Sequence, residues 1–293
     1  MSYLFLIFSV LSVSLSNIFG GYYTKKTSDK ADAATLYSFI ELTTVFLLWC
    51  VLFIADFSFD LKVLPYSFLF AAFFAMGMIG RIFAFKTGPV SLTSLIIQTS
   101  LILVCIWGMV FWKEEFNVVI VVGLLLVAIS LFLCLYKGKN QEGEEKKKVT
   151  FKWILFCILG FIGNAGCTIV QRVQQMDFDG QHKSMLMFFA TCFAAIFGFL
   201  AYWKSDKIDT KAILKKQAPF PVLAGASNVL LNVSIMMLAT ASPLLSTNLI
   251  YPAVAMGGLI ITSLFSVFAL KEKLKWWQWM GVGLGIIATG LLS

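Results

Sequence analysis

Two ionisable side chains stand inside long apolar runs: Glu41 in a run over 33–55 and Arg81 in a run over 65–86. A charge at the centre of a bilayer costs about 2.5–3.5 kcal/mol on the insertion scale, so each needs a partner or a task. Glu41 is eight residues beyond Ala33 and Arg81 is five before Lys86. At 1.5 Å per helical residue these are depths of about 12 Å and about 8 Å. In antiparallel neighbours the two are therefore expected to pair. A static salt bridge and a snorkelling Arg81 are the plain readings. The functional ones are a gate, or a binding pair in which Glu41 takes a cationic group and Arg81 a carboxylate. Proton coupling through Glu41 would be opposed by a fixed Arg81.

Uncharged polar groups add a second layer. Polar side chains avoid lipid, so their distribution marks faces turned to protein or water. The first apolar run holds Asn17, the fourth Gln98 with Thr99 and Ser100, the sixth Asn164, Thr168 and Gln171, the eighth Asn228 and Asn232, and the ninth Asn248 and Tyr251. The fifth and tenth hold almost none. The plain alternative is that Ser, Thr, Asn and Gln tie neighbouring helices together, at about 0.6 kcal/mol each. Pro252 removes one backbone donor and frees a carbonyl near Asn248. With Gly257 and Gly258 close behind, it is expected to form a hinge that exposes Asn248 and Tyr251 to solute; a packed structural kink is the alternative. Trp276, Trp277 and Trp279 directly after a basic turn read as an interfacial anchor.

These residues must be positioned by membrane helices. Of 293 residues 59% are hydrophobic and 13% charged, against about 25% charged in a soluble domain. Apolar runs fall at 3–23, 33–55, 65–86, 90–112, 116–136, 151–173, 184–203, 218–240, 243–270 and 276–292. Ten helices are expected, because helices satisfy their own backbone in hydrocarbon and no run alternates as a transmembrane barrel would. The expected fold class is an all-α membrane protein. The six cysteines lie in apolar runs, and the single histidine, His182, has no partner at metal-ligand spacing. Neither a disulfide framework nor a metal or cofactor is expected. The net charge of +8 is read as membrane topology, not as a nucleic-acid surface. The first run has no basic residue before it and Lys25 and Lys26 after it, the reverse of a cleaved signal, so it reads as a retained span.

Eighteen lysines, among them Lys25, Lys86, Lys146, Lys204 and Lys271, follow the odd-numbered runs, against Lys62, Lys113, Arg172 and Lys183 on the other side. The positive-inside rule then places both termini outside the cell membrane. A charged stretch over 137–150 divides the chain into five helices over 1–136 and five over 151–293. An odd number per half requires the second half to enter from the opposite side, an inverted repeat.

Internal similarity follows that division. Lys113-Glu114-Glu115-Phe116 with Gly123 corresponds to Lys271-Glu272-Lys273-Leu274 with Gly281 at constant offset. Gly88-Pro89 corresponds to Ser242-Pro243, and Asn17 to Asn164. With the Tyr251-Pro252 pair and the glycine-rich Gly281-Val-Gly-Leu-Gly285 run, the chain resembles the drug/metabolite transporter superfamily, in particular its ten-helix EamA-type members. It departs from that pattern in having Gln98-Thr99-Ser100 where a proline is frequent, and in lacking a tryptophan before Asn17. The resemblance implies a 5+5 inverted-repeat bundle with a central cavity and rocking halves.

The expected function is secondary transport of a small polar organic metabolite, amino-acid-like or otherwise zwitterionic or neutral, by alternating access. Asn17, Glu41, Arg81, Gln98, Asn164, Asn232, Asn248 and Tyr251 are the expected substrate contacts, and Glu41, Arg81 and Pro252 the gating or hinge residues. The runner-up is a proton-coupled exporter of cationic or aromatic drugs, and outside that class a receptor or channel. No phosphate-binding Gly-x-x-x-x-Gly-Lys motif exists for an ATP-driven pump, and no nucleophile-base pair for an enzyme. Expected partners are the solute, a coupled proton or counter-substrate, and lipid. The chain is expected as a monomer or as a homodimer through Gly281, Gly283 and Gly285.

Overall fold

A computed structural model describes residues 2–27, 33–87, 96–97, 100–113, 117–135, 150–203, 218–241, 247–269 and 275–292. Among them the regular elements are helical: α1 (Ser2–Thr27), α2 (Ala33–Ala55), α3 (Leu64–Thr87), α4 (Ser100–Phe111), α5 (Val118–Leu135), α6 (Phe151–Asp177), α7 (Lys183–Trp203), α8 (Pro219–Ala241), α9 (Thr247–Ala269) and α10 (Trp276–Leu292), with a short 3-10 turn at Leu61–Val63. No strand occurs among the described residues.

Four stretches are long and apolar enough to cross a membrane: Leu36–Ala55, Leu61–Arg81, Phe151–Asp177 and Pro219–Leu238. Shorter apolar helical stretches cover Tyr3–Ser16, Ile102–Phe111, Val118–Leu133 and Lys183–Ile196. Large apolar side chains point outward, with Ile54 75% and Phe151 81% exposed. In water such surface would drive aggregation, and in lipid it is at rest. The chain has the make-up of a helical membrane protein.

The helices sort into two compact units. Unit 1 comprises Met1–Ala71 with Gln171–Ser242, and unit 2 comprises Ala72–Val170 with Pro243–Ser293. Each unit draws on both sides of the 137–150 segment, and the division falls within α3 and α6, so these two helices contribute to both units.

In unit 1, α8 packs along α1 and α2, and α2 packs along α7. Gly225 makes the α2–α8 approach possible: a Cβ there would stand 2.9 Å from the Glu41 carbonyl oxygen and 3.0 Å from Thr44 Cβ. Between α2 and α7 the contact is aromatic. Phe53 stacks on Phe188 with centroids 4.8 Å apart, and Phe46 reaches the same ring at 6.0 Å. One end of the unit is closed by Tyr23 and Leu36 with Tyr37, Ile40 and Phe220. At the other end Tyr66 donates to Asp177 at 2.6 Å and Ser184 donates to Asp56 at 3.3 Å.

In unit 2, α9 packs on α4, α5 and α10, and α10 packs along α5. The α3 segment Gly77-Met-Ile-Gly80 crosses the α6 segment Gly160-Phe-Ile-Gly163 antiparallel, Gly77 against Gly163 and Gly80 against Gly160. Small residues at this spacing let two backbones touch. Ser130 on α5 donates to the Gly281 carbonyl on α10 at 2.6 Å. A Cβ on Gly285 would meet the Met256 side chain and, at 2.8 Å, Ser130 Oγ, whereas one on Gly283 would meet nothing within 4 Å. Gly281 and Gly285 are therefore used inside the chain, which leaves only Gly283 of the expected dimer stripe facing outward.

Candidate functional site

The densest polar arrangement inside the described helices lies in unit 1, where the last turns of α6 meet α8. Along α6, Gln171, Gln174 and Gln175 recur at i, i+3 and i+4, so they share one face. All three are buried, Gln174 at 0% exposure. Gln171 Nε2 donates to Asn232 Oδ1 on α8 at 3.2 Å. Asn232 Nδ2 donates one turn back to the Asn228 backbone carbonyl at 2.9 Å and to Asn228 Oδ1 at 3.0 Å. Gln175 Nε2 donates to Gln174 Oε1, and Gln174 Nε2 donates to the Gln181 carbonyl at 3.0 Å. The last bond ties the end of α6 to the turn that leads into α7.

That turn is conformationally unusual. Asp179, Gly180 and His182 have φ of 48°, 74° and 57°, a left-handed region that L side chains rarely adopt. Beyond it Lys183 is the first residue of α7, just ahead of the apolar run that begins at 184. Burial pushes its amine below the ordinary lysine value of 10.5, with the Asp56 carboxylate opposing. Its Nζ is 3.7 Å from Met237 Sδ on α8.

Hydrogen-bonding capacity is left over in this unit. Ser12 Oγ, Trp49 Nε1, Ser58 Oγ, Gln175 Oε1 and His182 Nδ1 are buried without a hydrogen-bond partner among the described residues. All five residues belong to unit 1. Buried polar atoms are normally satisfied by protein or by water, so unit 1 is where water or a solute has groups to bond.

The expected site residues divide between the units. Glu41, half-buried on α2, and Asn232 belong to unit 1. Arg81, Asn164, Tyr251 and Pro252 belong to unit 2. Arg81 is exposed on α3. Asn164 Nδ2 donates to the buried Ser100 Oγ at 2.7 Å, so it ties α6 to α4. Tyr251 and Pro252 are both buried on α9, which stays helical across the proline. Pro252 has no N–H to give, so it removes the bond to the Asn248 carbonyl without ending the helix. The side chains of Asn17 and Asn248 lie outside the described residues, and so does Gln98.

Gln174 and Gln175 are the residues that sequence reasoning missed. The sixth span was expected to stop at 173, but α6 continues to Asp177. The signal was present as a helical recurrence of glutamine from Gln171. A concavity of about 560 Å³ in unit 2 has Ile102, Ile106, Met109, Val121, Leu124 and Ala128 in its lining. These side chains offer no polar group to orient a solute.

No protein-family model and no curated protein matches this chain. Among solved structures, one described only as "Crystal structure of protein" superposes on 99% of this chain and 95% of its own length, with a TM-score of 0.70 at 9% sequence identity. At that identity the likeness is one of fold.

Proposed function

We propose that the chain is a secondary carrier that moves a small polar organic solute, neutral or zwitterionic, across the cell membrane by alternating access. In this reading α1 to α5 and α6 to α10 are inverted repeats, all ten helices span, and both termini lie outside. The observation that carries it is the amide cluster in which the buried Gln171, Gln174 and Gln175 meet the half-buried Asn228 and Asn232, within a chain that exposes many large apolar side chains. Polar groups inside a membrane protein are costly in lipid and face the bundle interior or a water-filled cavity.

The helix pairing supports the repeat. An inverted repeat makes each helix correspond to the one five places later. It is consistent with α2 packing on α7, α4 on α9 and α5 on α10. The same correspondence pairs α1 packing on α8 with the α6–α3 crossing. The start of α10 at Trp276 also falls where the repeat puts it from the start of α5 at Val118. The excess of lysine after the odd-numbered helices supports the orientation.

The test is counterflow in proteoliposomes with the purified chain. Vesicles preloaded with amino acids, nucleosides, sugars or quaternary amines are diluted into trace labelled solute. Transient accumulation of label with one of these supports a carrier. Ion current or saturable binding without counterflow with any of them contradicts it. Glu41→Gln and Arg81→Ala, assayed with the solute that exchanges, decide whether either charge takes part.

A further inference from the structure

The amide cluster has a direction. Asn232 Nδ2 faces the Asn228 backbone carbonyl at 2.9 Å, and a carbonyl can only accept, so the orientation of the Asn232 amide is fixed by chemistry. Asn232 Oδ1 must then be the acceptor for Gln171 Nε2 at 3.2 Å, and Asn228 Oδ1 the acceptor for Asn232 at 3.0 Å. The three carboxamides form one polarised chain, Gln171 to Asn232 to Asn228.

A tie between helices would use both ends of such a chain. Here, among the described residues, Gln171 Oε1 at one end and Asn228 Nδ2 at the other make no protein hydrogen bond. Asn228 and Asn232 are one helical turn apart, about 5–6 Å between Cβ atoms. One turn along α6 from Gln171, Gln175 Oε1 is buried with no partner in a residue only 3% exposed. The cluster thus presents two acceptors on α6 and one donor on α8, and every member of the chain is uncharged.

We infer that this chain of carboxamides recognises an uncharged solute with an amide-type edge, N–H donors beside a C=O acceptor, as found in carboxamides, ureas and nucleobases. The inference rests on the carrier reading above and narrows its solute class. The solute N–H groups bond Gln171 Oε1 and Gln175 Oε1, and its carbonyl accepts from Asn228 Nδ2. A site built from hydrogen bonds to uncharged groups rejects analogues that leave those groups unpaired. A free ammonium or carboxylate would lose hydration without meeting an opposite charge in the chain of amides.

The test uses the purified full chain in lipid nanodiscs, with nicotinamide and uracil as probes, leucine as a zwitterionic control and choline as a cationic one. Saturable binding of both amides, displaced by each other and not by leucine or choline, is expected. Gln171→Met and Asn228→Leu should each weaken binding about tenfold, the loss of one good hydrogen bond. Asn228→Asp keeps the size and replaces the donor by an acceptor, and should abolish binding while the melting temperature stays within a few degrees. It also decides the matter if Asn228→Leu does not fold. Binding of neither amide, preference for leucine or choline, or amide binding unchanged in the folded variants overturns the inference. Amide binding with these sensitivities but no counterflow would leave the inference standing and remove the carrier. Counterflow of leucine or choline untouched by the variants would do the reverse.

Discussion

Gly80 on α3 and Gly160 on α6 meet backbone to backbone: a Cβ on Gly80 would stand 2.8 Å from Gly160 Cα and 2.8 Å from the Phe156 carbonyl oxygen. Neither atom belongs to a side chain that could swing aside. The crossing is possible because glycine occupies both positions, and it fixes how α3 lies against α6 in unit 2.

The four glycines of the crossing are not equivalent. Gly80→Ala and Gly163→Ala press on backbone and should each cost about 1–3 kcal/mol, in the range of core overpacking. Gly160→Ala meets the end of the Ile97 side chain at 3.1 Å, which can shift, and should cost less. Gly283→Ala on α10 meets nothing within 4 Å and should be neutral or slightly stabilising, since alanine is the better helix former. Thermal unfolding in detergent orders these variants. Equal melting temperatures for all four would contradict the packing.

Ser130 anchors α5 to α10 through the Gly281 carbonyl and is fully buried. Ser130→Ala should lower stability by about 0.6–1.7 kcal/mol, the range for hydrogen bonds between membrane helices. Ser130→Thr should cost more than Ser130→Ala, because Gly285 and Met256 crowd the hydroxyl. Denaturant titration in mixed micelles measures both.

The lowered pKa of Lys183 has a definite sign. Between its folded and unfolded values the folded chain binds fewer protons there than the unfolded chain. The linked stability therefore rises with pH across that window, which closes at the ordinary value of 10.5, and protonation opposes folding below it. Acylation of Lys183, followed by peptide mass spectrometry, should reach half its maximal rate at lower pH than an ordinary lysine. Asp56→Asn removes the opposing carboxylate and should move that midpoint lower still. A midpoint unchanged or raised in Asp56→Asn would contradict the assignment of causes.

The sequence made the helices legible and left their partners hidden. The span expected at 33–55 is the helix Ala33–Ala55, and the one at 276–292 is Trp276–Leu292, because unbroken hydropathy bounded by charge marks where a helix can stay in lipid. The same criterion failed at the end of α6. Gln174 and Gln175 look like loop residues by hydropathy, yet they are buried and held by hydrogen bonds to each other and to the Gln181 carbonyl. Asn232 could be singled out as an intramembrane amide, but its bond to Gln171 spans 61 positions and leaves no trace in any local period. The division at 137–150 is one of composition, and units 1 and 2 are a division by contacts, with their boundaries inside α3 and α6. The bond from the Asn164 amide to Ser100 spans 64 positions and is equally invisible in any local period.

The most direct measurement of the carrier proposal is whether Asn228 can be reached by water from both faces of the membrane. A chain without native cysteines, carrying Asn228→Cys, is reacted with a membrane-impermeant maleimide in right-side-out and in inside-out vesicles. The account expects labelling in both preparations, slowed by a solute that shows counterflow. Labelling in neither preparation, or from one face only, would contradict it.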